Sequence, residues 1–459
     1  MSAATSRSIA LDDARPIWQS MAIFLVPLML SNVLQSLSQT ANSIYLGRLV
    51  GVEALAAVSA IFPIVFLLVS FLIGLGTGST VLIGQAFGAG DQRKVKEVAG
   101  TALAMVLVLG IAVGAVGGLF SHRLLAALGT PADVIDISTG YARITFFSMP
   151  LFFPYLLYTT FLRGTGDTRT PFFVLVVGTA LTFVLTPLFI RGWFGAPALG
   201  TNGAAIGNAL ANALSLGGLL AYLGIKRNPL AFDREMLANL RLRPELVRTI
   251  AKIGIPTSIN LVMVSLSEIA VLSFVNRFGS TALAAYGAVN QVVSYVQFPA
   301  VSIAIAASIF GAQSIGAGRP ERMGPIVRSA VALNYAIEGG LILAAYLASR
   351  SLISLFMTAP STIAIAHHLL AITLWSYALF GNARILSAIM VSTGTVVAPT
   401  LINILSIWAV EVPVAYVLMQ HIGLDGVWYG YPAAYAAGLL AQLAYYKLVW
   451  KRRPLERLV

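Results

Sequence analysis

Four ionisable side chains interrupt the apolar runs in the second half of this sequence: Glu268, Glu338, Arg384 and Glu411. A charge at mid-helix in a membrane costs roughly 2.5 to 3.5 kcal/mol on insertion scales, so each must be offset by pairing or by function. Buried carboxylates of this kind can take up and release a proton or a cation, which makes Glu268, Glu338 and Glu411 the candidate cation-coupling residues. At about 1.5 Å rise per residue, Arg384, Glu338 and Glu411 lie roughly 12 to 18 Å from the same end of their spans, and Glu268 roughly 13 Å from the other. Arg384 is therefore expected to form a structural ion pair with Glu411 or Glu338. Glu268 is the acid least easily neutralised, and the first candidate for a proton or metal cation.

The first half carries neutral stripes instead. Gln35, Gln39 and Asn42 fall at i, i+4 and i+7 on one face of a helix, and Thr182 with Thr186 and Asn208 with Asn212 repeat that spacing on two others. With Tyr158 they are expected to line a substrate cavity. Arg143 is close enough to a helix end to snorkel.

No catalytic constellation accompanies these residues. There is no His-Glu-x-x-His, no Gly-x-Ser-x-Gly and no phosphate-binding loop, and His367 and His368 are neighbours that point to different helix faces. The absence of cysteine excludes disulfides, thiol catalysis and Cys-ligated metals. An enzyme is not expected, nor any cofactor, and no metal site is firmly indicated, unless Glu268 holds sodium.

The elements that must position these groups are membrane helices. The chain is 58% hydrophobic and 10% charged, with a mean hydropathy of +0.86, whereas soluble domains carry about 25% charged residues. Charge-free stretches such as Ala54 to Gly90, Gly192 to Ile225 and Phe278 to Gly318 each exceed the roughly 20 residues that cross a bilayer core. Such runs, with Gly, Pro and charge punctuation, predict twelve spans: 17–46, 54–82, 97–120, 137–160, 171–190, 202–225, 253–277, 281–312, 326–349, 365–392, 399–420 and 424–447.

The halves are copies. Gly51 to Ala60 returns as Gly279 to Ala288 with six of ten positions identical, and Gly88-Ala89-Gly90 returns as Gly316-Ala317-Gly318. Thr165, Gly166 and Pro171 meet Thr393, Gly394 and Pro399, and Gly200, Gly203 and Gly207 meet Gly423, Gly426 and Gly430. An even number of spans per copy gives both the same orientation, so the expected fold is an all-α membrane protein of twelve transmembrane helices in two parallel six-helix lobes. A pseudo-two-fold axis along the membrane normal would relate them. The expected boundaries are a first lobe at 1–225, a linker at 226–252 and a second lobe at 253–459.

Most of the 29 Lys/Arg residues fall before the first span, in the even-to-odd loops and after the last span, which predicts both termini in the cytoplasm. The basic segment Lys226 to Lys252 is read as a topological anchor, and the +12 net charge has the same origin, so nucleic acid is not an expected partner. Asp12, Asp13 and Arg15 before the first span, with no cleavage site after a short apolar core, make that span a retained helix.

Gly47-Arg48-Leu49 followed by Glu53-Ala-Leu-Ala-Ala57, Gly84-Gln-Ala-Phe-Gly-Ala-Gly90 and Leu162-Arg-Gly-Thr-Gly-Asp-Thr168 resemble the multidrug and toxic compound extrusion (MATE) family. Ser392-Thr-Gly-Thr395 reads as a worn copy of the last motif. The resemblance covers almost the whole chain and implies a cation-coupled antiporter of the cell inner membrane that exports small amphipathic, cationic organic solutes. It also implies two lobes that open a central cavity alternately to each side. A monomer in contact with membrane lipid is expected. Proton coupling is favoured over sodium, because one Glu without a second acid in helix ten makes a thin oxygen cage.

Departures from the family pattern fall at the sites. Asn42 stands where the family often has an Asp, and Thr182-Phe-Val-Leu-Thr186-Pro187 replaces Asn-x-x-x-Asp-Pro. Val264 stands where one branch has a helix-seven Glu, about one turn before Glu268, and no acid stands near Phe380 where that branch has an Asp. A flippase for lipid-linked oligosaccharide shares the two-lobe plan and is the alternative, but it calls for a basic cavity.

Overall fold

The computed structural model describes residues 9–12, 14–354 and 359–459, so Asp13 lies outside the described residues. Their regular structure is all helix, with no strand among them. In a bilayer each backbone N–H and C=O must be satisfied within its own segment, which long charge-poor runs achieve as helices. The first six are α1 (Ile17–Leu49), α2 (Val52–Gly88), α3 (Gln92–Leu119), α4 (Ile135–Gly164), α5 (Arg169–Arg191) and α6 (Thr201–Ile225). The second set is α7 (Pro244–Asn276), α8 (Ser280–Gly316), α9 (Met323–Leu347), α10 (Pro360–Val391), α11 (Val397–Ile422) and α12 (Gly430–Leu448).

Eleven of these, α1 to α11, are long and apolar enough to cross a membrane. The span expected at 424–447 is a short helix, Leu424–Trp428, followed by the 19 residues of α12. Tyr431, Tyr435, Gln442, Tyr445, Tyr446 and Lys447 dilute the apolar character of α12. Helix α7 begins at Pro244, well before the expected 253, because its first two turns are polar and need not sit in hydrocarbon.

The copies are visible in backbone conformation as well as in sequence. Gly90 and Gly318 end α2 and α8 with φ of 74° and 72°, and Gly166 and Gly394 follow α4 and α10 with φ of 92° and 82°. L residues with a side chain rarely adopt that region, so these turns fix where each helix stops.

The chain divides into two compact units, Leu30–Gly254 and Met1–Met29 with Ile255–Val459. In the first, α4 packs on α2, α3 and α6, and α5 packs on α6; in the second, α10 packs on α8, α9 and α12, and α12 on α11. This partition departs from the boundaries at 225 and 252. The start of α1 belongs with the second unit, since Met21, Phe24, Leu25 and Leu28 share an apolar core with Ile303, Phe310 and Ile389. Phe24 meets Phe310 edge to face at 5.7 Å.

Segment 226–252 belongs with the first unit. Lys96 Nζ lies 2.6 Å from Asp233 and 2.7 Å from Glu235, and Arg243 lies 3.0 Å from Glu97. A Cβ on Gly100 would stand 2.5 Å from the Asn239 carbonyl oxygen, so that glycine lets the segment lie flat on α3. Partial burial pushes the Asp233 carboxyl up, but the Lys96 ammonium and the Met236 N–H outweigh it and hold the group below the usual aspartate range.

Candidate functional site

In the second unit two hydrogen bonds set the register of α7 against α11. Asn403 Nδ2 donates to Asn260 Oδ1 at 2.6 Å, and Trp408 Nε1 donates to the Met263 carbonyl at 3.2 Å. Residue numbers rise together along both helices, so Glu268 on α7 and Glu411 on α11 follow at the same end of the contact. The two carboxylates interact electrostatically. They differ in exposure: Glu411 is 4% exposed, whereas Glu268 is accessible, not buried as its sequence position suggests.

Helix α11 is irregular where this matters. Residues Ser406–Glu411 form a π-helical stretch between Val397–Leu405 and Val412–Ile422. Such bulges widen the turn and redirect side chains, and they concentrate at functional sites. Gly430 closes the other side, since a Cβ there would stand 2.8 Å from the Glu411 carbonyl oxygen.

Tyrosines that sequence reasoning missed surround the pair. Tyr286 and Tyr431 join hydroxyls at 3.1 Å, Trp428 stacks on Tyr286 at 5.8 Å, and Tyr435 meets Tyr377 and Phe380 at 5.2 Å each. Tyr286, Tyr377, Tyr431 and Tyr435 all lie within electrostatic range of Glu268 and Glu411. The i, i+4 spacing of Tyr431 and Tyr435 was the available signal. Hydroxyls at the edge of an apolar cluster supply donors and acceptors without adding charge.

The other two ionisable groups stand apart. Arg384 makes no ion pair with any acid among the described residues; its guanidinium lies over the Phe380 ring at 5.8 Å. The expected pairing with Glu411 or Glu338 is thus not formed, because similar depth does not put two side chains on facing surfaces. Glu338 is fully buried, and both of its oxygens lack a hydrogen bond of good geometry. Asn334, one turn earlier, is its polar neighbour, and Gly381 leaves the space that both side chains fill.

The first unit presents the matching helix pair with neutral residues. Ser38 bonds Thr179 at 2.9 Å and Tyr45 meets Phe183 edge to face at 5.9 Å, which sets α1 against α5 as α7 is set against α11. Asn42 falls between those contacts, and its Oδ1 is buried without a partner. Gln35 and Gln39 are accessible, and Thr182, Asn208 and Asn212 are half-buried. Thr182 Oγ1 donates to the Gly178 carbonyl at 2.9 Å, and Asn208 Nδ2 to the Ala204 carbonyl at 3.4 Å.

Two of the expected cavity residues are sealed instead. Thr186 is 0% and Tyr158 1% exposed, and both hydroxyls lack a partner. Thr186 is closed in by α6, where a Cβ on Gly207 would stand 2.8 Å from the Thr186 Cα. The Asp of the Leu162 to Thr168 motif is a helix cap: Asp167 Oδ1 accepts from the N–H groups of Arg169 and Thr170 at 3.0 Å each.

Among the described residues no three of His, Asp or Glu gather as metal ligands. A bound cation would need carbonyl, amide or hydroxyl oxygens around Glu268 and Glu411.

The family profile described as MatE matches residues 27–188 and again residues 256–417. The chain belongs to the MatE family. The two matches fall on the two repeats, so each unit carries one copy of the family's helical pattern. The probable multidrug resistance protein YoeA of Bacillus subtilis is 51% identical over 445 residues, 96% of each chain. The probable multidrug resistance protein YpnP of the same organism is 27% identical over 94% of this chain and 95% of its own. A solved MATE transporter of the MOP superfamily, in an outward-facing conformation, superposes with a TM-score of 0.87 at 20% identity. It covers 98% of this chain and 99% of its own, and so supports the fold. This MatE chain is a multi-pass membrane protein of a multidrug efflux transporter family, and that family is not one of catalytic enzymes.

Proposed function

We propose that this chain is a secondary antiporter of the cell inner membrane, exporting an amphipathic organic cation in exchange for protons or sodium ions, with both termini in the cytoplasm. Glu268 and Glu411 are the coupling carboxylates in this reading. The observation that carries it is their arrangement on α7 and α11: one acid accessible, one nearly closed off, each within electrostatic range of the other.

Two like charges repel strongly where water is scarce, so such a pair accommodates an added cation far better than it accommodates two bare charges. The accessible Glu268 can receive the ion and Glu411 can share it beside the π-helical stretch. A ligand shifts a two-state equilibrium only by its differential affinity for the two states, which is what an ion taken up by a closable acid pair supplies. Proton remains favoured over sodium, since hydroxyls and carboxylates suffice for it. Glu338, sealed against Gly381 with no opening to water, is given a structural part.

The first unit supports recognition. Gln35, Gln39, Asn42, Thr182, Asn208 and Asn212 offer neutral donors and acceptors without a titrating group. Relatives named for multidrug resistance support a broad organic substrate range over the lipid-linked oligosaccharide alternative. Everted vesicles given a proton gradient or a sodium gradient separately, with ethidium as the probe, test the coupling: uptake under the proton gradient alone is expected. Uptake under neither gradient would overturn antiport, and uptake under sodium alone would overturn the choice of ion.

A further inference from the structure

Three ridges of four-residue spacing converge at one end of the second unit. Val327, Val331 and Tyr335 lie along α9; Leu439, Leu443, Lys447 and Lys451 lie along α12 and the turn Trp450–Arg452; Asn382 and Leu386 lie on α10 between them. Residues at i and i+4 share a helix face, so these side chains form two walls and a floor. They enclose about 610 Å³. From Gly324 to Tyr335 the groove runs about 16 Å along α9, close to half of the roughly 30 Å hydrocarbon thickness.

The lining is segregated. Arg328, Lys447 and Lys451 are exposed and stand at the end where α9 begins and α12 finishes, whereas Val327, Val331, Leu386, Leu439 and Leu443 form the apolar length. No carboxylate among the described residues lines the cavity. The turn that carries Lys451 is fixed, because Trp450 stacks on Tyr446 at 5.1 Å and its Nε1 donates to Thr393 Oγ1 at 3.1 Å. The floor amide is also held, with Asn334 Nδ2 donating to Asn382 Oδ1 at 3.4 Å.

We propose that this groove binds one anionic phospholipid from the leaflet at that end, its phosphate held by Arg328, Lys447 and Lys451 and one acyl chain laid along the valine and leucine walls. Three cations repel an organic cation and exceed what a zwitterionic headgroup needs, and an apolar trough of one leaflet's depth has no use to a free phosphate ion. Basic pockets between membrane helices recognise anionic headgroups in this way, and each Lys or Arg near the surface strengthens the attraction.

Native mass spectrometry of the full chain in detergent, with equal dioleoylphosphatidylglycerol and dioleoylphosphatidylcholine, tests this. One phosphatidylglycerol should be retained with at least about tenfold preference. The preference should vanish in Arg328→Gln/Lys447→Gln/Lys451→Gln and persist in Arg241→Gln/Arg248→Gln/Lys252→Gln, which removes as much charge from exposed positions of the other unit. Lys451→Arg should retain it, separating charge from folding. Equal retention of the two lipids, loss of preference in both triple variants, or displacement of the lipid by millimolar inorganic phosphate alone would each overturn the proposal.

Discussion

Glu268 and Glu411 stand on neighbouring helices of one unit, within electrostatic range of each other, and only Glu268 is open to its surroundings. The matching helix pair of the first unit carries neutral residues instead, Asn42 on α1 and Thr182 and Thr186 on α5. The repeats therefore share a backbone plan and differ in charge, and the proposed division of labour between ion and solute rests on that difference.

Arg384 over Phe380 is worth about 0.5 to 2 kcal/mol as a cation–π contact, less than a buried ion pair broken on one side, which costs about 3 to 5 kcal/mol. Arg384→Met should keep stability within about 2 kcal/mol of wild type, and adding Glu411→Ala should neither rescue nor worsen it beyond the sum. Unfolding of the two single variants and the double variant in detergent measures the coupling. A rescue well outside additivity would restore the ion pair.

Gly207 and Gly430 sit against Thr186 and Glu411 with no room for a methyl group. Gly207→Ala and Gly430→Ala should each destabilise by about 1 to 3 kcal/mol through overpacking, and Gly430→Ala should also impair coupling by displacing the Glu411 backbone. Gly217, with nothing within 4 Å of its Cβ position, is the control and should tolerate Ala. Thermal unfolding read alongside gradient-driven efflux checks both statements.

Asp233 is held below the usual carboxylate range, so it contributes stability that is present above the ordinary aspartate value and lost as pH falls through its folded value. Its side chain is 46% exposed, so the contribution is small and weakens with salt. Asp233→Asn should lower the melting temperature near neutrality, and the gap to wild type should close as pH drops below about 4. A gap of constant size across that range would mean that the ion pair with Lys96 plays no part.

Replacement of Asn42 should change which solutes are exported without moving the pH dependence of export. Efflux of several organic cations by Asn42→Ala, measured across pH, checks this. A shifted pH profile with an unchanged solute range would place the ion step in the first unit.

The repeat, the helix positions and the family were legible because turns that need a particular backbone leave fixed glycines, and apolar length is a property of composition. Azimuth was not legible. Depth along a span put Arg384 near two acids, yet the helix face decides contact, and the ring that its guanidinium meets is Phe380, one turn earlier on the same helix. Spacing put Thr186 on a polar stripe, but the close approach that Gly207 allows sealed it. The π-helical stretch that ends at Glu411 has no local sequence mark, since Ser406 to Glu411 reads as ordinary helix. Asp233 and Glu235 lie far from Lys96 in sequence, so a segment that looked like a free linker is fastened to α3.

Proton counterflow in liposomes reconstituted with wild type, Glu268→Gln and Glu411→Gln tests the coupling pair most directly, with ethidium export and internal pH followed together. Each Gln variant should fold and bind ethidium but lose export driven by an imposed pH gradient, by at least about a hundredfold if the acid supplies roughly 2.7 kcal/mol of differential affinity. Export by Glu411→Gln at the wild-type rate, with protons still moving in exchange, would contradict the assignment of ion coupling to Glu268 and Glu411.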